Sequence, residues 1–343
     1  MASDIHLINP IRQEEQVTSN SGFRHRAALS TVAVLLAAVA GCTSSTAQTP
    51  SQPSASGAQH TSQGQRQPVA TKDADWAGVS QALGRPGKLT DTVYRVPLVR
   101  SDLAVSSQGV AVKPGLSLGG YATFTRYADS GLMMGDLVVT ETEVPKVIDA
   151  LQAHGIELTA VHKHLLEQSP PVWWIHVHAM GDPVQLGQGL KAALDATALP
   201  APASAPAVQP PVEVDTAGID AALGRKGTAD GGIYKFTVAR NQAITVSDHV
   251  LPAGLGLTTS INFQPVGAGK AAINGDFALT GEEINPVIAA LRKGGIAIVE
   301  IHNHSLDEQP RLFYLHFWAV DDAVTLAKAL RPALDATNVK PAS

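Results

Sequence analysis

Seven histidines of this 343-residue chain fall in two short segments. The first reads Val161-His162-Lys163-His164-Leu165-Leu166-Glu167, followed by Trp173-Trp174-Ile175-His176-Val177-His178. The second reads Ile301-His302-Asn303-His304-Ser305-Leu306-Asp307, followed by Phe313-Tyr314-Leu315-His316-Phe317-Trp318. A neutral imidazole offers one lone pair, and Zn–N bonds of about 2.0–2.1 Å need several such rings close together. The candidate metal ligands are therefore His162, His164, His176, His178, His302, His304 and His316. Zinc fits a three-His set best, and copper or nickel also accept imidazole. An unmetallated polar pocket and histidines that serve only internal hydrogen bonds are the other readings of this pattern. Glu167 and Asp307 sit where strand gives way to loop, and Asp136 and Asp276 each follow a glycine. These four carboxylates are candidate ligands or general bases.

Each segment reads as two strands joined at a turn, and strand side chains alternate faces. Trp173, Ile175, Val177 and Ala179 then form an apolar face, as do Phe313, Leu315, Phe317 and Ala319, and the histidines point the other way. A turn centred on Pro170 sets His164 opposite His176 and His162 opposite His178. One centred on Pro310 sets His304 opposite His316 and His302 opposite Trp318. Directly opposed Cβ atoms lie about 4.5–5.5 Å apart, close enough for two imidazoles to share an ion. Trp174, Tyr314 and Trp318 are read as core packing or as the wall of a sugar or aromatic site. His154 and His249 lack a counterpart in the other segment and are expected at the surface.

The elements that position these residues also occur twice, at an offset of about 140. Ala82-Leu83-Gly84-Arg85 matches Ala222-Leu223-Gly224-Arg225, Gly135-Asp136 matches Gly275-Asp276, and Leu194-Asp195-Ala196-Thr197 matches Leu334-Asp335-Ala336-Thr337. Such a period denotes a duplicated domain rather than a solenoid. In the first copy a short helix, Trp76–Leu83, precedes strand-like runs over 93–100, 104–112 and 116–127. A β-α-β-β-α series follows: strand 132–140, helix 143–154, strands 156–164 and 172–180, helix 184–197. The expected fold is α+β, two tandem copies of one domain. Each copy is a strand-rich part plus a β-α-β-β-α unit with helices on one sheet face. The strand-rich part is expected to cover the histidine face.

The ends and joints carry other signals. Arg24-His25-Arg26, the apolar run 27–40 and Val39-Ala40-Gly41-Cys42 read as a secretory signal over residues 1–41 with a lipobox, Cys42 being the lipidation site. This implies export, and anchoring to a lipid bilayer through acylated Cys42, facing the periplasm or the cell surface. Residues 42–72 are mostly Ser, Thr, Gln, Pro, Ala and Gly, with almost no apolar bulk, the composition of a disordered linker. The first repeat domain is assigned to 73–199, a Pro/Ala-rich linker to 200–213, and the second repeat domain to 214–343. Cys42 is the one cysteine, so the chain forms no internal disulfide. A net charge of −5 gives no electrostatic reason to expect nucleic acid, which favours a basic face.

Ala290-Leu291, Gly295-Ile296, Ile301-His302-Asn303-His304 and Gln309-Pro310-Arg311-Leu312-Phe313-Tyr314-Leu315-His316-Phe317-Trp318, with both Gly-Asp pairs, resemble the LppY/LpqO-type bacterial lipoproteins. The resemblance spans both copies, roughly 76–198 and 216–338, and implies export and lipid anchoring. Lys163 and His178 stand where the second copy has Asn303 and Trp318. The leading expectation is an exported cell-envelope lipoprotein that binds a transition metal or a small-molecule or envelope ligand, with non-enzymatic binding favoured over catalysis. The alternatives are a zinc-dependent hydrolase acting on an envelope substrate, and a structural or interaction lipoprotein.

Overall fold

The computed structural model describes residues 64–202 and 208–342. The signal segment and Cys42 lie outside the described residues. The first copy runs α1 (Ala77–Leu83), β1 (Lys88–Thr90), β2 (Val93–Val99), β3 (Ser106–Ser107), β4 (Val110–Ala111), α2 (Pro114–Ser117), β5 (Gly119–Arg126), β6 (Gly131–Thr140), α3 (Val144–Ala153), β7 (Glu157–His162), β8 (Gln168–Ser169), β9 (Val172–Gly181) and α4 (Pro183–Asp195). The second runs α5 (Thr216–Leu223), β10 (Thr228–Asp230), β11 (Ile233–Ala239), β12 (Ile244–Val246), β13 (His249–Leu251), β14 (Thr258–Gly267), β15 (Lys270–Leu279), α6 (Gly281–Lys293), β16 (Ala297–His302), β17 (Phe313–Asp322) and α7 (Ala323–Asp335).

Each copy builds one antiparallel six-stranded sheet, in the orders β1-β2-β5-β6-β9-β7 and β10-β11-β14-β15-β17-β16. The duplicated α+β architecture therefore stands, with one correction. The strand-rich part is no separate cover, because β1, β2 and β5 continue the sheet that holds the histidines. The run over 104–112 folds as the short β3–β4 hairpin. Residues 114–117 take a helical turn, since Pro114 occupies the first helical position, where its missing N–H costs nothing.

The outer sheet faces bury against helices. Ile175, Val177 and Ala179 pack with Val147 and Leu151 of α3 and with Leu186 and Leu190 of α4. Leu315 and Phe317 pack likewise with Val287, Leu291, Leu326 and Leu330. Asp182 starts α4 by accepting the amides of Val184 and Gln185, and Asp322 does the same for α7 through Thr325. Arg100 and Arg240, each 1% exposed at the side chain, anchor this layer. Arg100 donates to Glu143 at 2.7 Å and to the Val138 carbonyl, and Arg240 to Glu283 at 2.7 Å and the Ala278 carbonyl. Glu143 also accepts the amides of Thr140 and Ala198, and Glu283 those of Thr280 and Asn338. Burial alone would raise both carboxyls. The arginine and the amides outweigh it and hold both below the usual glutamate range.

The inner faces of the two sheets face each other. Two apolar clusters drawn from both copies seal the contact. One joins Val93, Leu132 and Met134 to Leu251, Leu257 and Tyr314; the other joins Leu116, Leu165 and Trp174 to Ile233, Ala272 and Trp318. At about 25 cal/mol per Å² these large apolar side chains make the sheet-to-sheet contact a core in its own right. Residues 64–72 depart from the linker expectation: Arg66 donates its amide to the Asp248 carbonyl, and Val69 to Arg126. Those contacts are backbone pairings that composition does not register.

Candidate metal centre

The hairpin register differs from the sequence expectation. His162 lies opposite Trp174, Ala160 opposite His176, and Glu157 opposite His178. In the second copy His302 lies opposite Tyr314, and Glu300 opposite His316. The strand ends at His162, and the connection 163–171 is a loop whose Gln168 and Ser169 pair with Ser107 and Ser106. Pro170 is therefore not the centre of a tight turn. Next to the loop the offset is four positions, an even number, so His162 and His302 keep their faces while the opposed pairs change; past a bulge at Leu158/Ala160 it becomes five.

Six histidines converge where the inner faces meet. His162 Nε2 lies 3.0 Å from His164 Nε2 and 3.3 Å from His316 Nε2. His302 Nε2 lies 3.1 Å from His304 Nε2. Across the copies the rings approach in matched pairs, His164 with His316 and His176 with His304, each at 3.8 Å between centroids. His162 and His302 stack on each other, also at 3.8 Å. Two carboxylates complete the group. Asp136 Oδ2 is 3.6 Å from His164 Nε2, and Asp276 Oδ2 is 3.2 Å from His304 Nε2.

The surroundings fix how the rings present themselves. His176, His316 and His304 direct Nδ1 at the carbonyls of Gly135 (3.1 Å), Gly275 (2.7 Å) and Gly256 (2.8 Å). A ring N–H given to a carbonyl leaves the Nε2 lone pair free to bind, the arrangement that supports metal-ligating histidines. Gly135 and Gly275 are required sterically: an added Cβ would stand 2.9 Å from the Tyr121 carbonyl oxygen in one case and fall on that of Ser260 in the other. Gly275→Ala should thus cost roughly 1–3 kcal/mol of stability, measured by denaturant unfolding. Asn274 and Thr159 hold the two loops from the opposite copy, donating to the carbonyls of His164 (2.7 Å) and His304 (3.1 Å).

The remaining sequence candidates lie elsewhere. His178 is buried, but its Nδ1 faces Glu157 at 3.7 Å, and Trp318 takes the matching place in the second copy. Glu167 and Asp307 are exposed, the first within reach of Gln108 and the second accepting from Ser305. The loop that shifts the register carries both away from the histidines. Trp174 and Tyr314 are buried beneath His164 and His304, with ring centroids 4.3 and 3.4 Å away. His249 is buried against Tyr127 rather than at the surface, while His154 is exposed.

Burial holds His162, His164, His176 and His302 well below the ordinary histidine range, and neighbouring imidazoles add to the effect. His316 is also lowered by burial. Burial, then Asp276, push the Asp136 carboxyl well up. Imidazoles whose folded pKa is depressed stabilise fully above their unfolded value of about 6.5 and lose that contribution as pH falls. Asp136 acts in the opposite sense: its contribution is present at low pH and lost as pH rises through its raised pKa. The imidazoles outnumber it, so the metal-free protein should show a Tm that falls as pH drops below about 6.5. A flat Tm between pH 8 and 5 would contradict a buried neutral cluster.

The residues suit a metal on chemical grounds. Asp136 Oδ1, Asp276 Oδ1, His176 Nε2, His162 Nδ1 and His302 Nδ1 are buried polar atoms without a hydrogen-bond partner. Ligand atoms of His162, His164 and His316 lie within 4.8 Å of one another, as do those of Asp276, His302 and His304. Nitrogens 3.0–3.3 Å apart match the edge of a polyhedron with M–N bonds near 2.0–2.1 Å.

The sequence model described as Domain of Unknown Function (DUF1259) matches residues 77–196 and again 217–336. This chain belongs to that family. The DUF1259 matches coincide with the two copies, and the metal candidates divide between them. No curated protein matches the chain in sequence. Among solved structures, EtuB from Clostridium kluyveri is 11% identical with a TM-score of 0.21, over 74% of this chain and 89% of that one. A trimeric bacterial microcompartment shell protein, PduB, is 13% identical with a TM-score of 0.19, over 73% and 94%. At such scores nothing about those proteins transfers to the DUF1259 copies.

Proposed function

We propose that this chain is an exported envelope lipoprotein that binds a transition metal at one centre shared by its two DUF1259 copies. The observation that carries the metal reading is the convergence of six buried histidines and two aspartates, five of whose buried polar atoms have no hydrogen-bond partner. His162, His164 and His316 would hold one ion, and Asp136 and Asp276 stand beside the same group. Zinc suits this donor set, and copper or nickel share its preference for imidazole. The test is metal content after purification without chelators and after metal add-back. At least one equivalent per chain is expected; less than a tenth of an equivalent would end the reading.

The export half rests on residues 24–42 and on the resemblance to LppY/LpqO-type lipoproteins. Lipid on Cys42 predicts that the protein sediments with membranes and that Cys42→Ala releases it to the soluble exported fraction. A Cys42→Ala protein that still sediments would refute acylation as the anchor.

A second reading, a metal-dependent hydrolase, is favoured by a cleft of about 880 Å³ that reaches Asp136, His164, His176 and their counterparts. A bound metal would supply Lewis acidity there, and Asp136 or Asp276 would accept a proton. Turnover of an envelope ester, amide or glycan, lost in Asp136→Asn with metal content intact, would favour hydrolysis over binding.

A further inference from the structure

The cleft above the histidine cluster is an opening between the two inner sheet faces, where β2 and β5 of one copy oppose β11 and β14 of the other. Its floor is the Asp136–His176 and Asp276–His316 rows, each a directly opposed pair in the ladder. Its volume, about 880 Å³, is that of a site for a small organic molecule.

The two walls carry different chemistry. On the first, Arg95 lies with its guanidinium carbon 3.7 Å from the centre of the Tyr121 ring. Such stacking holds the planar fork in place, and a fork of this kind receives a carboxylate through two parallel hydrogen bonds. On the second wall the residue matching Arg95 is Lys235, and it is already paired with Asp230 at 2.7 Å. Around it Thr237, Ser260 and Asn262 present hydroxyl and amide groups to the cleft.

Charge decides what enters. The floor carboxylates would repel an anion, and a metal at the centre would answer them. Lys235 answers Asp230. What remains for a ligand is Arg95, which also attracts Asp136, then the metal and the neutral polar groups between, with the exposed Asp91 lining the same cleft.

We propose that the cleft binds a hydroxylated organic carboxylate of the sugar-acid class, its carboxylate on Arg95 and its hydroxyls on Thr237, Ser260 and Asn262 above the metal. This rests on the metal reading given above and adds the class of ligand that the centre serves.

The test is calorimetric titration of the full chain, metal-loaded and metal-free, with gluconate and with glucose, its neutral counterpart of similar size. Metal content is measured on the same samples. Saturable binding of gluconate to the metal-loaded protein is expected, with glucose weaker by about tenfold or more. A charge-assisted bidentate contact accounts for a loss of about tenfold or more in Arg95→Met and a smaller loss in Arg95→Lys. The unfolding temperature of each variant confirms that it folds. Equal binding of glucose and gluconate, or unchanged affinity in Arg95→Met, would overturn the assignment. So would the absence of gluconate binding in protein that carries metal, which would leave the metal reading intact. Gluconate binding that depends on Arg95 in protein that takes up no metal would keep the cleft assignment and remove the metal. Neither metal nor gluconate bound would remove both.

Discussion

His162→Ala is expected to lower metal affinity on the order of 100-fold or more, while His178→Ala leaves it unchanged. His162 Nε2 touches both His164 and His316, and its ring stacks on His302, so it links the ligand atoms of one copy to those of the other. Loss of an outer partner of a metal-binding histidine already costs about 10–100-fold, and a direct ligand costs at least the upper end of that range. His178 is also buried but faces Glu157. A competition titration with a chromophoric chelator reads both variants. Equal losses in the two would mean that the convergence at His162 has no part in binding.

Arg240→Ala should destabilise the protein by about 3–5 kcal/mol, because it strands Glu283 in a site that is 12% exposed at the side chain. For a folded unit of this size that lowers Tm on the order of 10 °C. The sign with pH is also set. Glu143 and Glu283 titrate below their usual range, so their contribution is complete above about pH 4.5 and is lost as pH falls through the lowered values. Arg240→Ala should therefore differ most from the natural protein at neutral pH, and the gap should narrow in acid. Thermal unfolding between pH 7 and 3 measures it, and a gap that widens in acid would contradict the pairing.

The helices and the faces of the histidine strands were legible because each rests on local periodicity, and the duplication because matching motifs recur at an offset of about 140. Ile175, Val177 and Ala179 alternate with His176 and His178, and no register error of even length can turn them over. The opposed pairs were not legible. They depend on loop length, and the loop after His162 is held by Ser106 and Ser107, some sixty residues earlier in the chain. The meeting of the two histidine faces left only a faint trace in the sequence. Leu132, Met133, Met134, Leu137, Val138 and Val139 are apolar without alternation, which signals a strand covered on both sides. That trace says a cover exists and not that the cover is the other copy. Arg95 and Lys235 gave no signal, since single cations on the outward face of a strand are ordinary surface residues until a second sheet faces them.

Two identical subunits meeting about an axis would offer any ligand on that axis two equivalent poses. Here Arg95 stands where the other copy has Lys235, and Tyr121 where it has Ser260. Joining both halves in one gene product let each side mutate alone, so a guest in the cleft has a head end and a tail end. The covalent link between the copies thus supplies handedness of recognition, which a symmetric pair could not acquire by any single change in its sequence.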